Sequence, residues 1–335
     1  MENEKKMKAI VYTEFGPPEV LQLKEVPKPV PKANEVLVRI HATSVGFGDL
    51  FARHKNYRQF AMPAPFYLFV IISFGIRKPK INILGSEFSG TVEAVGTDVT
   101  KFSKGDEVFG YTGPKMGCYA EYRSIPEDIS IAIKPTNISH EEAAAVTYGG
   151  IVALTLLRKM NIQPGQKILI VGASGSIGSA AIQIAKSLGA EVTGVCGTPR
   201  LEFLKALGAD KVIDYTKEDF TKGDEAYDII FDTYNKGSFG RGKRVLKKNG
   251  RYILASFSLR QIFTMLRSKL IGNKKLICSL AVGEDLDGVK ELIESGKIKA
   301  VIDKRFPLEK TAEAHRYVEE GNKKGYIVIT LDHLV

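Results

Sequence analysis

Hydrophobic and polar positions divide this chain into two contrasting stretches. Before residue 131 the apolar positions come in short runs: Lys8 to Thr13, Leu21 to Val26, Glu35 to Thr43, Phe88 to Val95, Asp106 to Gly110 and Cys118 to Ile125. Turn residues such as Gly16-Pro17-Pro18 and Lys104-Gly105-Asp106 punctuate them, so the pattern predicts an antiparallel, barrel-like β domain. From Ser139 the period changes. Ser139 is placed to cap a helix opening with His140-Glu141-Glu142, whose acids suit the positive end of a helix dipole.

Beyond that helix, strands and helices alternate. Strands are expected at 168–171, 191–195, 211–213, 227–232, 250–255 and 275–282, with helices at 199–207 and 237–246. Such alternation predicts a doubly wound parallel sheet, an α/β fold of the Rossmann type. A helix at 285–295, a strand at 301–306, a helix at 308–320 and a last strand at 325–331 complete the chain and are expected to return to the first domain. The boundaries so drawn are 1–130, 131–282 and 283–335.

The stretch ILIVGASGSIGSAAIQIAKSL, from Ile168 to Leu188, carries the most chemistry. Its first four residues read as a strand buried on both faces. Ile177, Ala180, Ala181, Ile184, Ala185 and Leu188 then recur at helical spacing as far as a stop at Gly189. Between strand and helix stand three glycines. Gly172 permits the turn, Gly175 lets backbone N–H groups approach a pyrophosphate, and Gly178 lets the helix close on the strand. Ser174 and Ser176 add hydroxyl donors, and the helix N-terminus adds partial positive charge. Ser174, Gly175, Ser176, Ile177 and Gly178 are therefore the candidate dinucleotide-binding residues.

Composition narrows the class. The 335 residues suffice for two domains, and 44% hydrophobic with 26% charged residues is ordinary for a globular protein. The net charge of +10 is spread without a dense basic cluster, so no nucleic-acid partner is expected. Cys118, Cys196 and Cys278 form neither a disulfide framework nor a zinc cluster, and the charged start MENEKKMKAIVY lacks an apolar signal core. A reducing cytoplasm is the expected location. Phe60 to Gly75, FAMPAPFYLFVIISFG, is too short in its apolar core to span a bilayer. It reads equally as a pocket wall or lid and as a buried core helix, with peripheral membrane contact as a further alternative.

Several ordered motifs carry a resemblance: MKAIVYTEFGPPEVLQL, ATSVGFGD ending at Asp49, LGSEFSGTVEAVG at 84–96, KGDEVFG at 104–110, VGASGSIG at 171–178 and LGADKVIDY at 207–215. Together they resemble the zinc-independent, zeta-crystallin-like quinone oxidoreductase branch of the medium-chain dehydrogenase/reductase superfamily. The resemblance implies a GroES-like catalytic domain beside the Rossmann domain, and a homodimer joined through the edge strand at 275–282. Zinc enzymes of that superfamily carry ligands where this chain has Gly46 and Ser86, which cannot bind zinc in their place. No metal is expected.

The cofactor expected is NADPH. The second Rossmann strand ends in Val195-Cys196-Gly197-Thr198-Pro199-Arg200, without the acid that would repel a 2′-phosphate. Gly197, the Thr198 hydroxyl and the Arg200 guanidinium suit that phosphate instead. The resemblance adds Tyr215 and either Lys323 or Lys324 beside the adenosine phosphate, Phe257 at the carboxamide, and Phe47 and Asp49 near the nicotinamide. It also places Gly46 and Val152 where relatives carry polar side chains, so no catalytic residue is assigned. The proton donor is left open between water and a tyrosine such as Tyr57, Tyr67 or Tyr111. The expected reaction is hydride delivery from NADPH to a small quinone or α,β-unsaturated carbonyl. The alternatives are a zinc-free alcohol or aldehyde reductase and a nucleotide-binding protein with little turnover.

Overall fold

The computed structural model describes residues 5–54, 74–75, 77–235, 237–270, 273–279, 285–321 and 323–331. Among them the chain forms two compact units. The first joins the residues up to Thr147 with those from Ala300 onward, and Tyr148–Lys299 lies in the second. All but the last two residues of the apolar stretch at 60–75 lie outside the described residues.

One long strand organises the first unit. β1 (Lys6–Val11) and β2 (Gln22–Pro27) pair antiparallel, and β3 (Glu35–Ser44) follows with most of its residues buried. One edge of β3 pairs with β4 (Glu87–Val95), which pairs in turn with β5 (Glu107–Tyr111). The other edge is shared. β6 (Tyr122–Pro126) takes Glu35–Arg39, β7 (Ser130–Ile133) pairs on β5, and the late strand β15 (Tyr326–Thr330) takes Ala42–Ser44. β14 (Ile302–Pro307) extends the sheet beyond β15 as a parallel neighbour, the one parallel pair here. The strand expected over Cys118 to Ile125 begins only at Tyr122. Instead the Cys118 N–H donates to the Gly85 carbonyl at 3.0 Å and the Tyr119 N–H to the Leu84 carbonyl at 2.9 Å. A short helix not expected from the pattern, α1 (Phe47–His54), follows β3.

α2 (His140–Arg158) begins as the sequence suggests and shows why. Ser139 Oγ accepts from the Glu142 N–H at 3.2 Å, and the Glu142 carboxylate accepts from the Ser139 N–H at 2.9 Å. This reciprocal capping box satisfies two amides that the helix itself leaves unpaired.

The second unit is a six-stranded parallel sheet in the order β10-β9-β8-β11-β12-β13. Its strands are β8 (Lys167–Val171), β9 (Glu191–Cys196), β10 (Lys211–Asp214), β11 (Tyr227–Asp232), β12 (Leu246–Leu254) and β13 (Lys275–Cys278). The apolar centres of β8 (Ile168–Val171) and β11 (Ile229–Phe231) are buried, as expected of parallel strands covered by crossovers such as α3 (Ser176–Ser187). α4 (Leu201–Ala206) links β9 to β10. The helix expected over 237–246 shrinks to α5 (Phe239–Gly242) and a 3-10 turn over Lys243–Val245. Gly242 lies against the Tyr252 ring, where a Cβ would come within 2.6 Å, and β12 already begins at Leu246. A helix the pattern did not suggest, α6 (Leu259–Leu270), precedes β13. α7 (Leu286–Glu294), expected in the returning tail, packs in the second unit, with Val289 against Gly150. α8 (Thr311–Glu319) connects β14 to β15.

Ser139→Ala should lower the unfolding free energy by about 1 kcal/mol. Urea denaturation followed by circular dichroism would show it as a shifted midpoint with unchanged slope.

Candidate functional site

The parallel sheet reverses its winding between β8 and β11, and their carboxyl ends open a crevice in which such folds hold ligands. At this point the chain turns through Gly172 with φ +76°, a conformation that L side chains rarely adopt. A Cβ on Gly172 would lie 2.4 Å from the Tyr234 ring and 2.5 Å from Thr233 Oγ1. One on Gly178 would lie 2.4 Å from the Gly172 carbonyl oxygen and 2.6 Å from Ala173 Cα. Helix α3 is thus pressed on the end of β8. Gly175 stands at its N-cap with no side chain capping it, which leaves the first turn of amides, including those of Ile177 and Gly178, facing a potential anion. Gly175 itself is less constrained: its Cβ would meet the Tyr234 ring at 3.4 Å and the Gly172 carbonyl oxygen at 3.5 Å, ordinary contact distances.

Residues beyond the glycine stretch support this turn. Asp232, fully buried at the end of β11, accepts from Tyr252 Oη at 2.9 Å and from the N–H groups of Tyr234 at 3.1 Å and Gly237 at 2.9 Å. Burial raises its carboxyl above the ordinary aspartate range, and these donors oppose the rise. Thr233 Oγ1 donates to the Val171 carbonyl at 3.0 Å, tying β11 to the glycine turn. Tyr234, half exposed, lays its ring against Gly172 and Gly175. The clue in the sequence was the pairing of an apolar strand with Asp-Thr-Tyr at its end.

At the end of β9, Gly197 is extended and its Cβ would touch Tyr215 Oη at 3.4 Å, so Tyr215 lies across it. Arg200 follows in the 3-10 turn over Thr198–Arg200 and exerts its charge on both Cys196 and Tyr234. The structure therefore gathers Gly197, Thr198, Arg200 and Tyr215. One expectation changes. The Thr198 hydroxyl does not face outward for a phosphate; it donates to Asp214 Oδ2 at 2.5 Å. An acid does stand beneath the end of β9, contributed by the neighbouring strand β10. Asp214 is buried and also accepts from the Thr216 N–H at 3.0 Å and Oγ1 at 2.7 Å. The Thr198 hydrogen bond, ahead of the others, holds its carboxyl below the usual aspartate value. The sequence reading inspected one strand end, whereas the sheet register sets Asp214 beside Cys196. Phe257, also in this unit, packs partly against the sheet core.

The first unit carries the remaining candidates. Phe47 begins α1, is exposed, and stacks on Phe51 at 6.3 Å. Asp49 is 1% exposed and accepts from the Gly46 N–H at 2.8 Å with one oxygen and from the Gly85 N–H at 2.9 Å with the other, so it anchors two loops. Burial pushes its carboxyl up to about 6 against those donors. Around it lies a buried polar cluster: Ser44 donates to Glu87, Tyr119 Oη reaches both the Ser44 carbonyl and His315 Nε2 at 3.2 Å, and Arg53 pairs with Glu319. His315 is fully buried and its Nδ1 has no hydrogen-bond partner. The Lys324 N–H donates to Asp303 at 2.9 Å just ahead of β15. Tyr111 lies on β5 opposite Glu87, while Tyr57 and Tyr67 are outside the described residues.

The zinc positions do not fit zinc. Gly46 offers no side chain and Ser86 only a hydroxyl; the nearby carboxylates of Asp49 and Glu87 are committed to backbone amides and to Ser44. Among the described residues, no group of three His, Cys, Asp or Glu side chains is arranged to hold a metal ion.

Comparison with known proteins agrees with this geometry. Residues 32–135 match the alcohol dehydrogenase GroES-like domain, and residues 207–329 match the family described as zinc-binding dehydrogenase. The 2-methylene-furan-3-one reductase of Solanum lycopersicum is 32% identical, over 96% of this chain and 79% of its own. The NADPH-dependent alkenal/one oxidoreductase, chloroplastic, of Arabidopsis thaliana is 29% identical, over 97% of this chain and 80% of its own. Among solved structures, the quinone oxidoreductase from Coxiella burnetii superposes with a TM-score of 0.83 at 28% identity, covering 98% of this chain and 100% of that one. The chain belongs to the medium-chain dehydrogenase/reductase superfamily, in its zeta-crystallin-like quinone oxidoreductase branch.

Two outcomes follow from the two units. Gly178→Val should abolish dinucleotide binding, read by quenching of intrinsic tyrosine fluorescence or by calorimetry, because the branched side chain has only backbone to displace. His315 is held neutral, chiefly by burial and then by the charges of Arg53 and His54. The unfolded chain takes up that proton near the ordinary histidine value, so stability is full above it and falls as pH drops below it, by about 1.4 kcal/mol per pH unit. His315→Gln should therefore lose stability at neutral pH but narrow its gap to the wild type as pH falls from about 7 to 5, measured by urea titration at each pH.

Proposed function

We propose that this protein is an NADPH-dependent oxidoreductase that reduces a quinone or an α,β-unsaturated carbonyl without a metal ion. The observation that carries the reading is the glycine turn at the sheet's switch point, which leaves no room for a Cβ at Gly172 or Gly178 and directs uncapped helix amides outward. The bound cofactor supplies a hydride, and the residues of this chain supply binding and orientation. Ser174, Gly175, Ser176, Ile177 and Gly178 cradle the pyrophosphate. Gly197 and Tyr215 form the seat of the adenosine ribose, with Arg200 as partner of the 2′-phosphate. Asp214 holds Thr198 and so fixes the turn that carries Arg200. Phe257 meets the carboxamide of the nicotinamide.

A conjugated acceptor suits a site without a Lewis acid, because charge left by hydride addition spreads onto the carbonyl oxygen as an enolate or hydroquinone anion, which then takes a proton from water or a tyrosine hydroxyl. The names of the tomato and Arabidopsis relatives point to the same chemistry. Three unpaired cysteines, two of them buried, suit a reducing compartment, for which we propose the cytoplasm. Among the described residues no helix is long and apolar enough to cross a membrane. Among the described residues β13 is the last strand of the parallel sheet, and we propose that two copies pair through it.

Loss of reduced-nicotinamide absorbance should be fastest with NADPH and quinones or enones, slow with saturated aldehydes, and unchanged by a chelator. A chelator-sensitive rate, or a preference for NADH, overturns the reading. Arg200→Gln should raise the KM for NADPH about tenfold and leave that for NADH almost unmoved.

A further inference from the structure

Helix α6 presents to solvent a face that the reductase reading does not use. Of its apolar side chains, Leu259 is 41% exposed, Phe263 69%, Leu266 49% and Leu270 85%. At about 100° per residue these four fall within an arc of about 60°. The opposite side of the helix is accounted for: Ser268 is buried and accepts from the Leu276 N–H at 3.0 Å, Met265 packs on the sheet core, and Gln261 pairs with Asn235. The apolar stripe is therefore additional to the face that folding required.

Charge decides what covers it. The helix, LRQIFTMLRSKL, holds three cations and no acid. Arg260 and Arg267 border the stripe on one side and Lys269 on the other, all exposed, and none forms an ion pair among the described residues. Lys275 adds a cation at the helix C-terminus, where its Nζ donates to the carbonyls of Ser268 and Lys269 at 3.1 and 3.2 Å. A second copy of the helix would bring these cations against one another. An anionic, apolar-backed surface would satisfy both features at once, with the guanidinium and ammonium groups reaching the charge while the stripe is buried. At 12 residues the helix is about 18 Å long, too short to span a bilayer but suited to lie along one.

We infer that α6 docks the protein peripherally on a bilayer of anionic phospholipid, with Phe263 and Leu270 entering the headgroup–acyl boundary. The inference stands apart from the reductase reading, since its test needs neither cofactor nor acceptor. The full-length protein is sedimented with vesicles of phosphatidylcholine alone and with vesicles of phosphatidylcholine and phosphatidylglycerol in a three-to-one mixture, at low and at raised salt. Binding should be confined to the anionic vesicles and weaken with salt. Because a protein of net charge +10 is drawn to such vesicles by charge alone, the deciding variant is Phe263→Ser with Leu270→Ser. It preserves every charge and alters two exposed positions, and it should weaken binding about tenfold or more. Arg260→Gln with Arg267→Gln should weaken it as well and flatten the salt dependence. Equal binding to both vesicle types, or unchanged binding by the serine variant, overturns the inference. So does light scattering that shows the serine variant splitting a dimer, which would make this face a contact between copies.

Discussion

Everything the second unit does depends on how closely helix α3 approaches the end of β8. Gly178 rests on the backbone of Gly172 and Ala173, with no space for even one carbon between them. That contact places the first turn of helix amides at the carboxyl edge of the sheet, beside the crevice where the winding reverses. Tyr234 and Thr233 then occupy the other side of the Gly172 turn, held by the buried Asp232 carboxylate. A hydride donor has to be positioned to within fractions of an ångström, and here the positioning begins in a backbone contact rather than in any polar side chain.

The first unit meets a different constraint. Its central strand β3 has both edges occupied, so the loops at its end cannot be tied by sheet hydrogen bonds and are tied by buried polar groups instead. Asp49 fastens Gly46 to Gly85, Tyr119 bridges Ser44 and His315, and Arg53 pairs with Glu319. Burying a carboxylate and a guanidinium is costly unless each is well partnered. The raised pKa of Asp49 and the neutral His315 are the visible cost of this arrangement. The cluster lies beside Gly46 and Ser86, where metal-dependent members of the superfamily hold zinc, and its carboxylates are already engaged.

Much of this was legible in the linear pattern, and the failures have specific causes. The capping of α2 and the strand–glycine–helix crossover are local, so composition and spacing expose them. α6 was missed because its apolar residues face solvent and its buried side carries Ser268 and Gln261, the reverse of the pattern by which a core-facing helix is recognised. The helix at 237–246 was overestimated because its glycines lie against Tyr252, which the sequence places ten residues beyond Gly242. That Asp49 anchors the loops at Gly46 and Gly85 was not legible, because its burial and its two hydrogen bonds are set by the fold.

By itself the sequence determined that the chain has a dinucleotide crossover, a β-rich first part, and no acid at the end of its second parallel strand. Each of these depends on residues near one another along the chain. Only the tertiary structure decided that Asp214 from the adjacent strand takes up the Thr198 hydroxyl, and that Thr233 ties the end of β11 to the glycine turn. Only it could show that the returning segment begins at Ala300, leaving the helix Leu286–Glu294 in the second unit. The reason is physical: sheet register and burial bring distant residues within hydrogen-bond reach, and no period or motif in the chain encodes which strand ends will meet.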